Sequence, residues 1–471
     1  MKQRNSMMKI KLFTVLFATL LVRQVITAQA VNNFSAQQTV AYGLKNAVQV
    51  KNALLDIKIQ EQTNREITAM AMPQLNGSIN TTYNFSIAVQ TLPNFISPAT
   101  YQVLIDEGVK DGNGNPVKMP DNGFGNINAQ FGVPWTAGAG LDLSQILFDG
   151  QVFVGLKARS AAMDLARRTA EVTTEQIKAN IYKIYWQLVV GKSQLATFDA
   201  NIERFEKLLH ETNEIYKNGF AEKLDVDKVT VQLNNLRTEK EKINQQLTAG
   251  NAALKFLINM PQTESLLLTD TLDEQRLKKD ILDSAYNYED RKEIQLLNTA
   301  IKLNSFNVKR YQLSRIPTIS AFGYYAKNAQ RLNFDFLKRG DWFTASYAGI
   351  RISVPIFDGF ARRAKIENAR LALEKSKNNL QQTRASVDND VFAARTKLKT
   401  AILTVDNQRE NTKLAEKVFI STEKKYQQGL GSNQEIYNAQ TELRVAQNNY
   451  YGALYDGIVA KVDYLRAIGK L

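Results

Sequence analysis

Two stretches of this 471-residue chain, residues 135–260 and 356–471, contain no proline. All nine prolines stand elsewhere: Pro73, Pro93, Pro98, Pro116, Pro120, Pro134, Pro261, Pro317 and Pro355. A proline inside a helix costs ~3 kcal/mol, so the two free stretches are where long helices can run. Their composition agrees. The run FARRAKIENARLALEKSKNNLQQTRASVDNDVFAARTKLKTAILTVDNQRENTKLAEKVF is rich in Ala, Leu, Lys, Glu, Gln and Arg, with apolar or small residues recurring every third or fourth position. Each stretch is punctuated once, by YKNG ending at Gly219 and by YQQG ending at Gly429. Both glycines suit the left-handed residue that closes a helix. The pattern predicts long helices over 150–218 and 360–428, each about 100 Å long at ~1.5 Å per residue, and return helices over 223–259 and 433–468.

Ahead of each long helix the apolar period drops to two. In PQLNGSINTTYNFSIAV, from Pro73, residues Leu75, Ile79, Tyr83, Phe85, Ile87 and Val89 alternate with Gln74, Asn76, Ser78, Asn80, Thr82, Asn84 and Ser86. That is a strand with one apolar and one wet face. Later, LDLSQILFDG (141–150) is answered by IRISVPIFDG (350–359). Leu141 and Leu143 share a face with Trp135 while Asp142 and Ser144 point the other way; Ile350, Ile352 and Val354 oppose Arg351 and Ser353 in the same manner. A fourth segment, PTISAFGYY from Pro317, alternates less cleanly.

Each half therefore reads helix (36–71; 289–315), strand (73–90; 317–327), loop, strand (129–148; 342–357), long helix, return helix. The FDG recurs because the architecture is an internal two-fold repeat, 31–260 and 289–471, joined by a link at 261–288. The first loop, about 90–128, is long and carries PNFISP and DGNGNP; the second is short.

The opening MKQRNSMMKIKLFTVLFATLLVRQVITAQA has a basic start, an apolar core and Ala28-Gln29-Ala30 as a small-residue cleavage site. It reads as a secretory signal peptide over 1–30. The apolar core is too short to span a bilayer, and no later run reaches ~18 apolar residues. Cysteine is absent, which removes disulfides, thiolate metal sites and an acylated N-terminal cysteine. The formal charge of +14 includes five basic leader residues and is spread over many helix faces, a poor footprint for nucleic acid.

A two-faced strand set on an exported chain needs somewhere to bury its apolar side. Four strands cannot close a membrane barrel, since the smallest have about eight, and an open edge in lipid leaves backbone groups unsatisfied. Three chains contributing four strands each would close a 12-stranded barrel. Trp135, Trp342 and Phe343 at the loop-side strand ends suit an aromatic girdle. The competing reading is a soluble sandwich with buried tryptophans, which strands alternating with very long helices fit badly.

The duplicated plan, the junctions PIFDGFARRAKIENAR and LFDGQVFVGLKAR, the Y-x-x-G tips and the N-terminal FSAQQTVAYGLKNAVQV together resemble the TolC family of outer-membrane efflux proteins. The likeness spans nearly the whole chain after the leader. It implies a mainly α fold with membrane β: a homotrimer forming one 12-stranded β-barrel, continued by a long α-helical coiled-coil barrel in the periplasm of a Gram-negative bacterium. It also implies a periplasmic adaptor and an inner-membrane pump as partners, and places the link in a belt around the helices. The function implied is an exit duct for efflux or type I secretion, with no cofactor.

By the same resemblance Glu435, six residues past Gly429, lines a periplasmic constriction, where three carboxylates would favour cations. Asp225, six past Gly219, would accept a bond from Tyr426 and hold the hairpins together. Both acids have a plainer reading: Ser432 and Glu435 form an S-x-x-E capping box, and Asp225 stands where a helix dipole favours a carboxylate. Gly431 and Leu224 replace the arginine and hydroxyl of the family's gate, and Asn438 replaces its second acid. Gly219, Phe220, Gly429 and Leu430 resemble adaptor-docking tips; ordinary turn chemistry with the apolar residue tucked into the coil is the alternative.

Catalysis finds no support. The single histidine, His210, falls within the first long helix, and without cysteine or a His cluster neither a zinc site nor a thiol nucleophile is available. Against the duct stands a secreted structural coiled-coil or adhesin-like protein with no channel, which detergent-free solubility as a monomer would favour.

Overall fold

A computed structural model describes residues 31–278, 285–338 and 340–471. The leader 1–30 and residues 279–284 of the link lie outside these. The chain divides into two compact units, a helical one containing Arg159–Ser305, Arg370–Leu471 and the residues up to Gln62, and a sheet-bearing one containing Thr63–Ala158 and Phe306–Ala369.

The helical unit begins with β1 (Val31–Phe34) and α1 (Ala36–Asn46), capped by Ser35, whose hydroxyl accepts from Gln38 N–H while the Gln38 side chain accepts from Ser35 N–H at 2.8 Å. α2 (Val48–Ala69) follows after Ala47, which leaves the helical region at ψ 132°. One continuous helix over 36–71 is therefore not formed: the bend at Ala47 lets both segments turn an apolar side inward, and Ala47 is fully buried.

Within the sheet-bearing unit β2 (Gln74–Tyr83) is followed by β3 (Val89–Pro93), a short helix α3 (Ile96–Asp106), β4 (Asn126–Gln130) and β5 (Trp135–Phe148). The stretch 73–90 is thus two strands. β2 pairs with β5 from Gln74↔Ser144 to Tyr83↔Trp135, and β3 pairs separately with β4. Pro134 has no N–H to donate, so the β5 ladder stops at Trp135; the Pro134 carbonyl takes the Asn84 N–H at 2.7 Å instead.

The long helix α4 (Gly150–Lys217) and its return α5 (Lys223–Leu257) come next. Asp149 of the first FDG starts α4, its carboxylate accepting from the N–H groups of Gln151 at 2.7 Å and Val152 at 3.3 Å. The link then contributes β6 (Ser265–Leu268), parallel to β1, and α6 (Gln275–Lys278). Buried Tyr185 of α4 donates its hydroxyl to the Phe34 carbonyl at 3.0 Å, and Asp270 accepts the Ala36 N–H at 2.7 Å, fastening β1 and β6 to the helices.

A 3-10 turn (Tyr288–Asp290) leads into α7 (Lys292–Leu313), β7 (Thr318–Arg331), β8 (Phe343–Ser353), α8 (Ala361–Gln427) and α9 (Asn433–Ala467). β8 ends before Pro355, which cannot extend a ladder. The second FDG also caps, with the Asp358 carboxylate accepting from Arg362 N–H at 3.0 Å. Here Gly359 and Phe360 both take positive φ, so α8 begins only at Ala361.

The helical core lies between the four long helices. Phe198, Phe205 and Leu208 of α4, Leu233 and Leu236 of α5, Phe419 of α8 and Ile436 and Leu443 of α9 form one buried cluster. A second unites Val387, Val391 and Leu398 of α8 with Ile294 of α7 and Tyr464 of α9. Link residues Tyr286 and Tyr288 both donate to the Asp388 carboxylate at 2.6 Å.

Candidate functional site

The ends of the two helical hairpins are built alike. At the first, Phe220 N–H reaches the Ile215 carbonyl at 3.0 Å and Gly219 N–H the Tyr216 carbonyl at 2.9 Å; at the second, Leu430 reaches Lys425 and Gly429 reaches Tyr426, both at 2.9 Å. This double closure is the Schellman motif, which requires a left-handed residue. Gly219 and Gly429 supply it at φ 80° and 73°. In most such motifs the next apolar side chain folds back on the helix. Phe220 and Leu430 do not: they stand 86% and 77% exposed.

Just inside these ends the hairpins are pinned by Asn433, a buried residue at the start of α9. Its Nδ2 donates to the Asp225 main-chain oxygen at 3.1 Å and reaches the Asp225 carboxylate at 3.4 Å. The other carboxylate oxygen of Asp225 accepts from Glu222 N–H at 3.3 Å, a capping role. The bond expected from Tyr426 to Asp225 is not made, because the Tyr426 ring packs against the apolar cluster between the hairpins. Sequence reading passed over Asn433; an amide beside a cap looks like a first-turn residue until a second hairpin is laid against it. Farther along, Gln427 Nε2 reaches Glu211 at 3.4 Å and Arg204 pairs with Glu416 at 3.4 Å.

Glu435 is exposed. Its main-chain N–H donates to Ser432 Oγ at 3.3 Å, yet its carboxylate completes no capping box and has no hydrogen-bond or ion-pair partner among the described residues. A side-chain carbon at Gly431 would lie 3.5 Å from Glu435 Oε2, so the carboxylate stays beside the tip rather than over the helix end. His210 is exposed on α4.

The sheet runs β2-β5-β7-β8, antiparallel throughout, with β2 and β8 as unpaired edges. Residues opposite one another in such a ladder project to the same side, so the register sorts the faces. One face carries Leu75, Ile79, Leu141, Leu143, Ile350 and Ile352, all between 44% and 90% exposed. The other carries Gln74, Asn76, Asn80, Asp142, Ser144 and Asn328, together with Arg351 and a few rings.

At the loop end the apolar face finishes in aromatic side chains. Trp135 lies 4.7 Å from Tyr83 and 4.9 Å from Phe334, and Phe336 links Phe334 (5.5 Å) to Trp342 (6.3 Å). Trp135 and Trp342 thus belong to one cluster. Phe343 does not: paired with Asn328, it projects from the polar face. One step along a strand reverses the face, so adjacent Trp342 and Phe343 could not both join a single girdle through the ladder. Phe334 and Phe336 replace it, contributed by a loop that no period of two could have marked.

Comparison with known proteins bears on what this arrangement is. Residues 292–470 match the family model described as outer membrane efflux protein. The chain is 19% identical over 337 residues to the outer membrane protein TolC of Vibrio cholerae serotype O1, covering 71% of this chain and 76% of the relative. It is 19% identical over 345 residues to the alkaline protease secretion protein AprF of Pseudomonas aeruginosa, covering 70% of this chain and 68% of that protein.

The chain is thus similar to outer membrane efflux proteins, by family match over residues 292–470 and by relatives aligned over 71% and 70% of its length. It also shares its fold with solved outer-membrane proteins. The VceC structure from Vibrio cholerae superposes at a TM-score of 0.67 with 14% identity, over 92% of this chain and 96% of that one. The Campylobacter jejuni CmeC outer membrane channel gives 0.69 with 16% identity, over 92% and 85%. These relatives are outer-membrane and secretion proteins, CmeC among them an outer membrane channel, rather than enzymes.

Proposed function

We propose that three copies of this chain join their sheets edge to edge into one 12-stranded barrel in the outer membrane of a Gram-negative bacterium, and that their helical hairpins enclose a periplasmic duct. The duct is passive: an inner-membrane pump delivers substrate through a periplasmic adaptor. The observation that carries this reading is the sheet itself. Its four strands leave both edges unpaired and one face carrying a band of exposed Leu and Ile side chains. An edge in hydrocarbon leaves backbone donors and acceptors unsatisfied at several kcal/mol each, and four strands are about half the smallest closed barrel. Three copies satisfy both edges and turn the apolar face to lipid. The cluster around Trp135 then lies at the membrane interface, where aromatic rings are favoured.

Under this reading Glu435 lines the periplasmic constriction. Its unpartnered carboxylate supports that role over a capping one. Gly219, Phe220, Gly429 and Leu430 form the adaptor-docking tips, and the outward Phe220 and Leu430 support this, since they fill no space in the coil. AprF, by its name a protease secretion protein, makes type I secretion as natural a setting as efflux.

The deciding experiment is extraction and reconstitution of the processed protein. Detergent-dependent solubility, a trimeric mass and discrete conductance steps in planar bilayers are the expected outcome. A monomer that stays soluble in plain buffer overturns the duct and restores the adhesin-like alternative.

A further inference from the structure

The polar face of the sheet departs from its own rule at one place. Most of its positions are Asn, Gln, Ser, Thr or Gly, yet across β7 and β8 three rings lie together. Tyr324 and Tyr347, directly opposite in the ladder, stack at 4.9 Å with 25° between their planes. Phe322 meets Tyr347 edge-on at 6.2 Å. It can lie flat there because its partner is Gly349: a side-chain carbon at that glycine would come within 2.9 Å of the Phe322 ring. Arg351 completes the strip, its guanidinium carbon 5.2 Å over the Phe322 ring.

Nothing in the fold uses these groups up. Tyr347 is 59% exposed, and neither tyrosine hydroxyl has a hydrogen-bond partner among the described residues. Arg351 is exposed and forms no ion pair among them. It is the one cation that the four strands place on this face, and Asp142, the one anion, stands on β5 opposite Tyr324. Two strand spacings and four residues separate the two charges, about 17 Å at ~4.8 Å per strand and ~3.4 Å per residue. A guanidinium held by its flat side on a ring keeps its N–H fork free for an oxyanion.

We propose that Phe322, Tyr324, Tyr347 and Arg351 form a binding site for small aromatic anions, the rings of the ligand lying along the stacked side chains and its carboxylate or sulfonate on Arg351. The use of this site as a contact for cargo rests on the reading that the polar face lines the duct; the binding itself does not. A bare anion gains only the guanidinium, and a neutral ring only the stack, so the site selects molecules that carry both. Asp142 reinforces the orientation by repelling the anionic end from the far side of the rings.

The test is equilibrium dialysis of the detergent-solubilised full-length protein against 1-naphthalenesulfonate. Saturable binding is expected, weakened at least tenfold by Arg351→Gln and by Tyr347→Ser, with methanesulfonate a poor competitor. Both positions are exposed, and circular dichroism with a thermal midpoint checks each variant; if one misfolds, the other decides. Unchanged affinity in a folded variant, or displacement by methanesulfonate as effective as by unlabelled probe, overturns the site. Bilayer conductance is recorded on the same preparations. Binding without conductance removes the duct and leaves the site, while conductance without binding removes the site and leaves the duct.

Discussion

Asn433 of the second hairpin donates to the main-chain oxygen of Asp225 in the first at 3.1 Å, and is itself 8% exposed. A contact to a carbonyl survives a change of the side chain that bears it. Asp225→Asn is therefore expected to move the thermal midpoint very little, whereas Asn433→Leu removes the hydrogen bond between the hairpins and costs about 0.5–1.5 kcal/mol. Amide exchange over residues 216–224 and 426–433 should quicken in the second variant and not in the first. Equal effects from the two would transfer the pinning role back to the Asp225 carboxylate.

Glu435 gives the second prediction. In planar bilayers Glu435→Gln is expected to lower cation preference and weaken block by multivalent cations, because three carboxylates at a narrowing are replaced by neutral amides. A reversal potential identical to that of the parent protein removes Glu435 from the constriction.

The hairpin ends give the third. Exposed side chains contribute little to stability, so Phe220→Ser and Leu430→Ser should each alter it by no more than about 0.5 kcal/mol. Co-purification with the adaptor encoded for the same system should nevertheless fall several-fold. If stability drops instead, these residues are parts of the coil, not of a docking surface.

A pH dependence follows from Glu175 on α4. Burial, and then the negative charge of Glu293, hold its carboxyl above the usual glutamate range, against the pull of Arg291, Arg466 and Lys292. An acid whose folded pKa is raised stabilises the fold below the unfolded value, near about 4.3, and that contribution is lost as pH rises through the folded one. Glu175→Gln should thus gain on the parent protein between pH 4 and pH 7 in denaturant melts. A stability difference that stays constant over this interval contradicts the assignment.

Much of this is legible in the chain itself. Absence of proline, helix-forming composition and the two Y-x-x-G signals marked α4, α5, α8 and α9 and the turns between them, because helix propensity and turn chemistry are carried by neighbouring residues. Alternation likewise separated Leu141 and Leu143 from Asp142 and Ser144, and Ile350 and Ile352 from Arg351, since a strand reverses its face at every step.

What the sequence determined by itself was therefore local: which segments coil, which extend, and which side of each strand is wet. The tertiary structure alone decided the partners. It placed Asn433 rather than Tyr426 at Asp225, set Phe343 on the polar face through its pairing with Asn328, brought Phe334 and Phe336 out of a loop to meet Trp135 and Trp342, and laid Arg351 on Phe322. Register and hairpin contacts join residues far apart in the chain, so no periodicity within one segment can encode which residue of another will face it.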